Sequence, residues 1–292
     1  MDIGVFAIAA NPFATPDYVE ALGAGAEQRG FRSLWVPEHA VLFDSYQSTY
    51  PYAADGRIPA PSDAAPLDPF AILSFLAAVT RTIRLGTGIC LVPQRNPVYT
   101  AKEVASVDFL SRGRFDFGVG VGWLAEEFHA LGVPFAHRAA RCRAYIEVMC
   151  RCWCDAVSQY DGDFYTLPPC RVFPKPVQQP HPPVYFGGES AAALKRVADL
   201  GQGWFPFSIA PDALAAQLRQ LEALLAPRGR SRRDIQVVVC PYMTAADLDL
   251  VKRYRDAGAD QVVVLAIAVQ RDGLLRVLDE LANAIVEPAR AL

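Results

Sequence analysis

Hydrophobic positions along the chain follow two alternating patterns. Short runs rich in β-branched residues are followed by longer segments in which apolar residues recur at helical spacing. This alternation is typical of βα units arranged around a parallel sheet. The predicted strands are residues 3–7, 33–36, 83–92, 115–119, 184–186, 203–205, 235–239 and 261–265.

Several helical segments carry clear start signals. Thr15-Pro16, Asp68-Pro69 and Asn96-Pro97 each place a capping side chain before a proline that suits the first helical position. With their caps, the predicted helices are residues 15–30, 68–80, 96–111, 124–154 (broken), 190–200, 211–225, 245–257 and 273–286. Eight strands alternating with eight helices predict an α/β fold, a single (β/α)8 TIM barrel over residues 1–292.

Two long segments interrupt this alternation, one after strand two and one before strand five. Residues 39–66 carry four aromatic residues, and residues 155–182 contain an Asp161-Gly162 hairpin signal. Without both segments the chain has about 236 residues, which is close to a standard barrel. Loops of this length are uncommon unless they bind or cover something. We therefore expect residues 39–66 to form a lid and residues 155–182 to form an insertion.

The composition excludes several classes of protein. Hydrophobic residues make up 52% of the 292 residues and charged residues 20%, which supplies a large core and excludes a disordered chain. The formal charge of −3 comes with no basic block, and no apolar run reaches the length of a membrane span. We expect no nucleic-acid partner and no membrane partner. Seven cysteines without a secretory signal favour a reduced, cytoplasmic setting.

Three of the cysteines lie close together, but their spacing argues against a metal site. On a helix, Cys150 and Cys154 share a face that Cys152 does not. No further pair of Cys or His residues at ligand spacing accompanies them. We expect these side chains to pack in the core and predict no metal.

Chemistry in a barrel is expected where the strands end. Active sites of (β/α)8 barrels lie at the carboxyl ends of the strands, and Glu38-His39 directly follows strand two. Imidazole is the side chain best suited to moving a proton near neutral pH. Glu38 and His39 are therefore candidate catalytic residues. The alternative is a surface glutamate beside a structural histidine.

Glycines mark three further strand ends. Gly88-Ile89 interrupts strand three, where glycine marks a bulge or a close approach to the backbone. The run 118–122 follows strand four and precedes Trp123, while Gly187-Gly188 leads to the helix cap Ser190. Backbone N–H groups and a helix N-terminus suit a phosphate group. Close packing between strands and helices remains the alternative for each glycine.

Taken together, these motifs resemble the luciferase-like monooxygenase superfamily, especially its actinobacterial branch that uses the deazaflavin coenzyme F420. The resemblance covers nearly the whole chain. It rests on residues 34–39, 85–89, 93–97, 110–114, 118–128 and 182–188.

The resemblance implies roles for individual residues. His39 matches an active-site histidine that transfers a proton beside the cofactor ring, and Gly88–Ile89 matches a non-prolyl cis peptide that supports the ring. Val121, Gly122, Gly188 and Ser190 match a phosphate cradle. The cofactor-binding set implied in this way is Gly88, Ile89, Asn96, Val121, Gly122, Trp123, Gly187, Gly188 and Ser190.

One residue departs from the pattern of the sugar-phosphate dehydrogenase of this superfamily. Trp123 stands where that enzyme has a catalytic glutamate, for which Glu38 or Glu126 would have to compensate. Tryptophan suggests an apolar pocket, so we expect a small, apolar organic substrate. The resemblance also implies a homodimer.

The function implied is hydride transfer between coenzyme F420 and that substrate. The first alternative is an FMN-dependent two-component monooxygenase on the same fold. A non-catalytic flavin-binding protein is the second alternative. A non-redox barrel enzyme such as an aldolase requires lysine or metal ligands at the strand ends. The chain has no lysine there, which argues against this alternative.

Overall fold

The computed structural model describes residues 1–64 and 66–292, so residue 65 of the predicted lid lies outside the described residues. The strands are Asp2–Ala7 (β1), Ser33–Val36 (β2), Arg84–Thr87 (β3), Cys90–Leu91 (β4), Phe115–Gly120 (β5), Ser158–Gly162 (β6), Tyr165–Cys170 (β7), Val184–Gly187 (β8), Gly203–Phe205 (β9), Gln236–Val239 (β10) and Gln261–Ala266 (β11). The helices are Pro16–Gln28 (α1), Pro69–Val79 (α2), Pro97–Leu110 (α3), Ala125–Ala130 (α4), Arg138–Cys154 (α5), Ala191–Leu200 (α6), Pro211–Leu225 (α7), Leu248–Asp256 (α8), Arg271–Leu281 (α9) and Glu287–Ala289 (α10).

Parallel strands close into an eight-stranded barrel. Neighbours in the sheet run in the order β3, β2, β1, β11, β10, β9, β8, β5, and the pairing of β3 with β5 closes the ring. The predicted (β/α)8 fold is therefore confirmed. Helices surround the barrel, and their buried faces pack on the outward side chains of the strands.

The barrel interior holds a few large aromatic side chains next to glycines. A Cβ atom on Gly86 would lie 2.5 Å from the Trp35 ring, and one on Gly203 would collide with Tyr185. Each glycine therefore leaves the space that a neighbouring ring fills. This filled interior lies beneath the carboxyl ends of the strands and forms the floor of the cavity described below.

The structure refines three predicted elements. The predicted third strand is split into β3 and β4, and the peptide between Gly88 and Ile89 is cis, as the resemblance implied. The predicted broken helix over 124–154 is two helices, α4 and α5. Between them, Gly132 and His137 take left-handed backbone angles, φ +69° and 58°, that no helix continues through. The predicted hairpin is confirmed as the antiparallel pair β6 and β7, but its turn lies at Asp163-Phe164, and Asp161 and Gly162 are the last residues of β6.

Candidate active site

A cavity of about 410 Å³ lies at the carboxyl ends of the barrel strands. Its roof is formed by residues of the 39–66 segment, and its lining is largely apolar and aromatic. Such a cavity has the size and character of a small-molecule site. The candidate residues that line it are Glu38, His39, Gly88, Ile89, Val121, Gly122, Trp123, Gly187, Gly188 and Ser190.

His39 lies at the cavity wall, just beyond the end of β2. Its ring packs edge-on against Trp123, with ring centroids 5.9 Å apart. Its Nδ1 lies 3.2 Å from Oε2 of Glu127, whose side chain is fully buried. An imidazole held by one nitrogen can use the other for proton transfer.

Glu127 receives hydrogen bonds from four groups. Besides His39, the N–H groups of Ala40 and Val41 and the amide of Gln94 donate to its carboxylate. Burial tends to raise the pKa of Glu127, but the hydrogen bond and charge of His39, together with the bonds from Gln94 and Val41, lower it. Glu127 is thus an ionised carboxylate at the junction of β2, α4 and the 39–66 segment.

Glu38, the other predicted catalytic residue, uses both carboxylate oxygens in hydrogen bonds to other protein groups. One oxygen accepts the N–H of Leu91 at 2.5 Å, and the other accepts from the Arg95 guanidinium at 2.6 Å. Arg95 also pairs with Glu103 and Asp68. This network ties β4 and the start of α2 to the end of β2, which favours a structural role for Glu38.

The 39–66 segment covers the cavity with aromatic side chains. Tyr46 and Tyr50 pack edge-on against Trp123, with centroids 5.6 and 5.1 Å away, and Tyr52 packs on Phe207 at 4.9 Å. Glu126 fastens the segment by accepting from the N–H groups of residues 47 and 48 and from the hydroxyl of Ser48. The roof is therefore tied to the start of α4. Its role as a lid stays a prediction.

Ile89 lies at the centre of the cavity floor, where the resemblance places a cofactor ring. A Cβ atom on Gly120 or Gly187 would come within 2.1 or 2.8 Å of the Ile89 side chain. A Cβ atom on Gly118 would lie 1.9 Å from the Thr87 carbonyl oxygen. These three glycines make room for the irregular connection between β3 and β4, which is the packing explanation that the sequence left open.

Another part of the cavity lining combines a glycine, a helix N-terminus and an arginine. Gly188 takes a φ of +96°, and Ser190 caps α6 by accepting the N–H of Ala193. Arg196, on the same helix, lines the cavity, and its buried Nε has no hydrogen-bond partner among the described residues. Burial lowers the pKa of Arg196, as it does for Arg138, whose pKa the positive charge of Arg196 lowers further.

Neither of these two arginines forms an ion pair with a carboxylate within the described part of the chain. Arg138 instead donates to the carbonyl of Gly122, which takes a φ of +78°. Guanidinium groups without a carboxylate partner and the N-terminus of a helix are groups that commonly bind phosphate in proteins.

Asn96 is the one predicted site residue that does not line the cavity. Its side-chain oxygen accepts from the N–H groups of Val98 and Tyr99 and so caps α3. Its amide lies 3.5 Å from the Tyr165 hydroxyl in the second insertion. A contact between Asn96 and a cofactor tail stays a prediction.

Sequence reasoning missed Glu127 and Arg196. Glu127 belongs to a pair of acidic residues at a helix start, which is usually an exposed, dipole-stabilising pattern. Arg196 follows Lys195 in a helix and looks like part of a solvated face. Their positions in the sequence could have identified them as candidates, because each residue follows a glycine-rich strand end within one or two helical turns.

The described residues hold no group of three or more His, Cys, Asp or Glu side chains placed to bind a metal ion. Nor does any helix in that part of the chain combine the length and apolar character needed to cross a membrane. Cys150 lies 3.8 Å from Nε2 of His181, outside the barrel. Burial raises the pKa of this thiol to about 12.

The fold and the roofed, aromatic cavity, lined by an imidazole and an arginine, define a (β/α)8 barrel with a small-molecule cavity at the carboxyl ends of its strands. The luciferase-like monooxygenase family model matches residues 1–266. The chain therefore belongs to the luciferase-like monooxygenase family, a family of oxidoreductases.

Relatives within this family differ in cofactor. An uncharacterized protein of Mycobacterium tuberculosis is 38% identical over 180 residues, which cover 61% of this chain and 64% of that protein, just under two thirds of its length. An FMNH2-dependent dimethylsulfone monooxygenase of Pseudomonas putida is 27% identical, over 80% of this chain and 59% of that one. The structure of an F420-dependent secondary alcohol dehydrogenase superposes with a TM-score of 0.78 at 19% identity, covering 98% of each chain. Members similar to this chain thus use either F420 or FMN.

Proposed function

We propose that this protein is an oxidoreductase that binds coenzyme F420 in the roofed cavity and transfers a hydride between it and a small, apolar organic substrate. One observation carries the proposal: the His39 imidazole and the Arg196 guanidinium, whose buried Nε has no partner among the described residues, line the same cavity. A cofactor with a planar ring and a phosphate group would match both, with its ring near His39 (the ring end) and its phosphate near Arg196 (the anion end).

The residues at the anion end fit the phosphate of such a cofactor. The buried Nε of Arg196 lacks an acceptor, and leaving such a group unsatisfied costs about 1–3 kcal/mol. A phosphate oxygen would supply that acceptor. The hydroxyl proton of Ser190 and the free N–H groups at the start of α6 are further donors to the same anion.

At the ring end the protein supplies shape, exclusion of water and a proton carrier. When bound, the cofactor accepts or donates the hydride. Ile89 would support its ring, and Trp123, Tyr50 and Tyr52 would exclude water from it. His39 takes up or returns the proton that accompanies the hydride, through the nitrogen that Glu127 does not hold.

Binding measurements test the cofactor assignment. We expect F420 and FMN to bind, and riboflavin, which has no phosphate, to bind roughly tenfold or more weakly because it loses a charge-assisted contact. Arg196→Met should remove this difference. Arg143→Met is the matched control, since Arg143 lies on neighbouring α5 but is paired with Glu147 and Asp199. Equal affinities for FMN and riboflavin would contradict the phosphate assignment.

The second candidate function is an FMN-dependent two-component monooxygenase. The dimethylsulfone monooxygenase relative favours it, and so does the aromatic roof, since a monooxygenase must keep water from its reduced flavin. Turnover with F420 in the absence of oxygen supports the first candidate. Turnover only with reduced FMN and oxygen supports the second. Binding of neither cofactor would contradict both.

A further inference from the structure

We propose that Glu127 is the positioning residue that determines which nitrogen of His39 carries the proton, and that it couples this choice to the docking of the 39–66 segment. The inference rests on the proposed function only in giving His39 a proton to move. Its structural content, the tautomer of one imidazole, can be measured without turnover.

The hydrogen bonds of Glu127 leave one assignment for the imidazole. An ionised carboxylate only accepts, and its two oxygens offer about four acceptor positions. Oε1 takes the N–H groups of Ala40 and Val41 at 2.7 and 3.3 Å. Oε2 takes the Gln94 amide at 3.0 Å and lies 3.2 Å from Nδ1 of His39.

Every partner of this carboxylate is therefore a donor, so Nδ1 of His39 must carry a proton. In the neutral ring the proton is then absent from Nε2, which has no partner among the described residues. His39 lines the cavity, so this nitrogen is the base offered to a substrate. Without Glu127, the imidazole would have no group that selects this tautomer.

No other carboxylate nearby competes for this role. Glu38, next to His39 in the chain, is bound to Leu91 and Arg95. Glu126, next to Glu127, is bound to residues 47 and 48. Among the described residues, Glu127 is the only charged group in hydrogen-bond contact with the imidazole.

The same carboxylate also accepts hydrogen bonds from Ala40 and Val41, the two residues that follow His39 in the 39–66 segment. Docking of Ala40 and Val41 on Oε1 brings the chain that carries His39 against Oε2, so the tautomer and the position of the roof depend on one group. We infer that the imidazole becomes a competent base only when the start of the 39–66 segment is docked.

Nitrogen-15 NMR of histidine side chains in the full-length protein tests the inference directly. The chain has four histidines, and the spectrum of His39→Gln identifies the signals of His39. Spectra recorded as the pH is raised until the ring is neutral should show the single ring proton of wild-type His39 on Nδ1. A wild-type ring protonated mainly on Nε2 would overturn the inference, and this measurement requires no Glu127 variant to fold.

Glu127→Gln should reverse the tautomer. If the glutamine oxygen keeps the bonds from Ala40 and Val41, its NH2 group faces His39, so Nδ1 becomes an acceptor and the proton moves to Nε2. Turnover should then fall roughly 10²- to 10⁴-fold, with the cofactor dissociation constant and the KM for substrate unchanged. An unchanged tautomer in the folded variant would overturn the inference.

Glu126→Gln is the matched control, because it alters the neighbouring anchor of the same segment without touching His39. We expect it to leave the tautomer as in the wild type. The two proposals can also fail separately. A wild-type Nδ1–H tautomer together with full turnover of His39→Ala would support the positioning role of Glu127 and contradict the proposed proton transfer.

Discussion

The two insertions of the barrel have the same length, about 28 residues each, but lie in different places. Residues 39–66 cross the carboxyl ends of the strands and line the cavity from above. Residues 155–182 run outside the barrel, where the β6–β7 hairpin packs on α5 and the following segment on α3. None of the described residues of the second insertion lines the cavity. Length alone therefore does not indicate which insertion serves the site.

Each insertion is held by a fully buried carboxylate, and these two anchors differ in one respect. Glu127 accepts from the N–H groups of Ala40 and Val41, and Asp108 accepts from those of Val177 and Gln178. The remaining oxygen of Asp108 binds the Gln178 side chain, so that anchor is self-contained. The corresponding oxygen of Glu127 binds His39. A buried carboxylate thus contacts only the second insertion in one case, and in the other it also contacts His39, the candidate catalytic residue.

Replacing one histidine at an end of each insertion should give the largest contrast. We expect His39→Ala to lower turnover by roughly 10²- to 10⁴-fold with cofactor affinity retained, because one acid–base group is lost. His181→Ala should leave turnover near that of the wild type, since His181 contacts Cys150 outside the barrel. Turnover, the cofactor dissociation constant and thermal stability should be measured on the same preparations. Near-native turnover of a folded, cofactor-saturated His39→Ala protein would remove the catalytic role.

Removing the self-contained anchor should affect stability alone. Asp108→Ala leaves the N–H groups of Val177 and Gln178 without an acceptor, and the Gln178 side-chain amide keeps only its bond to the Phe115 carbonyl. We expect a loss of about 2–4 kcal/mol in the free energy of unfolding, measured by urea denaturation. Cofactor affinity should not change. A change in affinity at equal folded fraction would show that the second insertion does communicate with the cavity.

The second insertion adds to an apolar outer surface, which suggests a role in assembly. We define the α2–α3 surface as the exposed side chains of Phe75, Tyr99, Phe109, Leu110, Phe173 and Val177. Helix α2 contains no charged residue at all. Exposed apolar surface of this kind marks protein–protein contacts. Together with the family resemblance, it supports the predicted homodimer.

A charge placed on this surface should weaken the dimer. Phe109 belongs to that surface and is 59% exposed, so Phe109→Glu should raise the dimer dissociation constant by roughly tenfold or more. Val269→Glu is the control, since Val269 is equally exposed, at 56%, on another face. Light scattering during size-exclusion chromatography gives the mass. A wild-type monomer at micromolar concentration would contradict the dimer prediction.

Most of the barrel could be predicted from the sequence because its signals are local. A capping residue before a proline marks a helix start whatever lies around it, and all three such starts, at Thr15, Asp68 and Asn96, are confirmed. The split of the third strand could not be predicted from periodicity. It depends on the space that Gly118, Gly120 and Gly187 leave on neighbouring strands. Gly88 in the strand indicated a bulge or a close approach as one of two interpretations, and the cis peptide followed only from the family resemblance.

The site was harder to predict because its decisive contacts join distant parts of the chain. Glu127 meets His39 across 88 positions of sequence, and nothing in either local pattern requires the contact. Arg196 has the sequence context of a solvent-facing arginine. It became a candidate only because its Nε is buried and has no hydrogen-bond partner among the described residues. Asn96 shows the converse, since its position suggested a cofactor contact and its side chain caps a helix.

The smallest expected effect concerns the second anchor of the roof. Glu126 is half-buried, and the Ser48 hydroxyl and the N–H groups of residues 47 and 48 hold its pKa at about 2, below the usual 4.5. A carboxyl group with a lowered pKa stabilises the folded protein above about pH 4.5, and this contribution is lost as the pH falls towards 2. Glu126→Gln should therefore lower stability by less than about 1 kcal/mol at pH 7, and the difference from the wild type should narrow below pH 4.5. Urea denaturation of both proteins between pH 7 and pH 3 measures this, and a difference that stays constant over that range would contradict it.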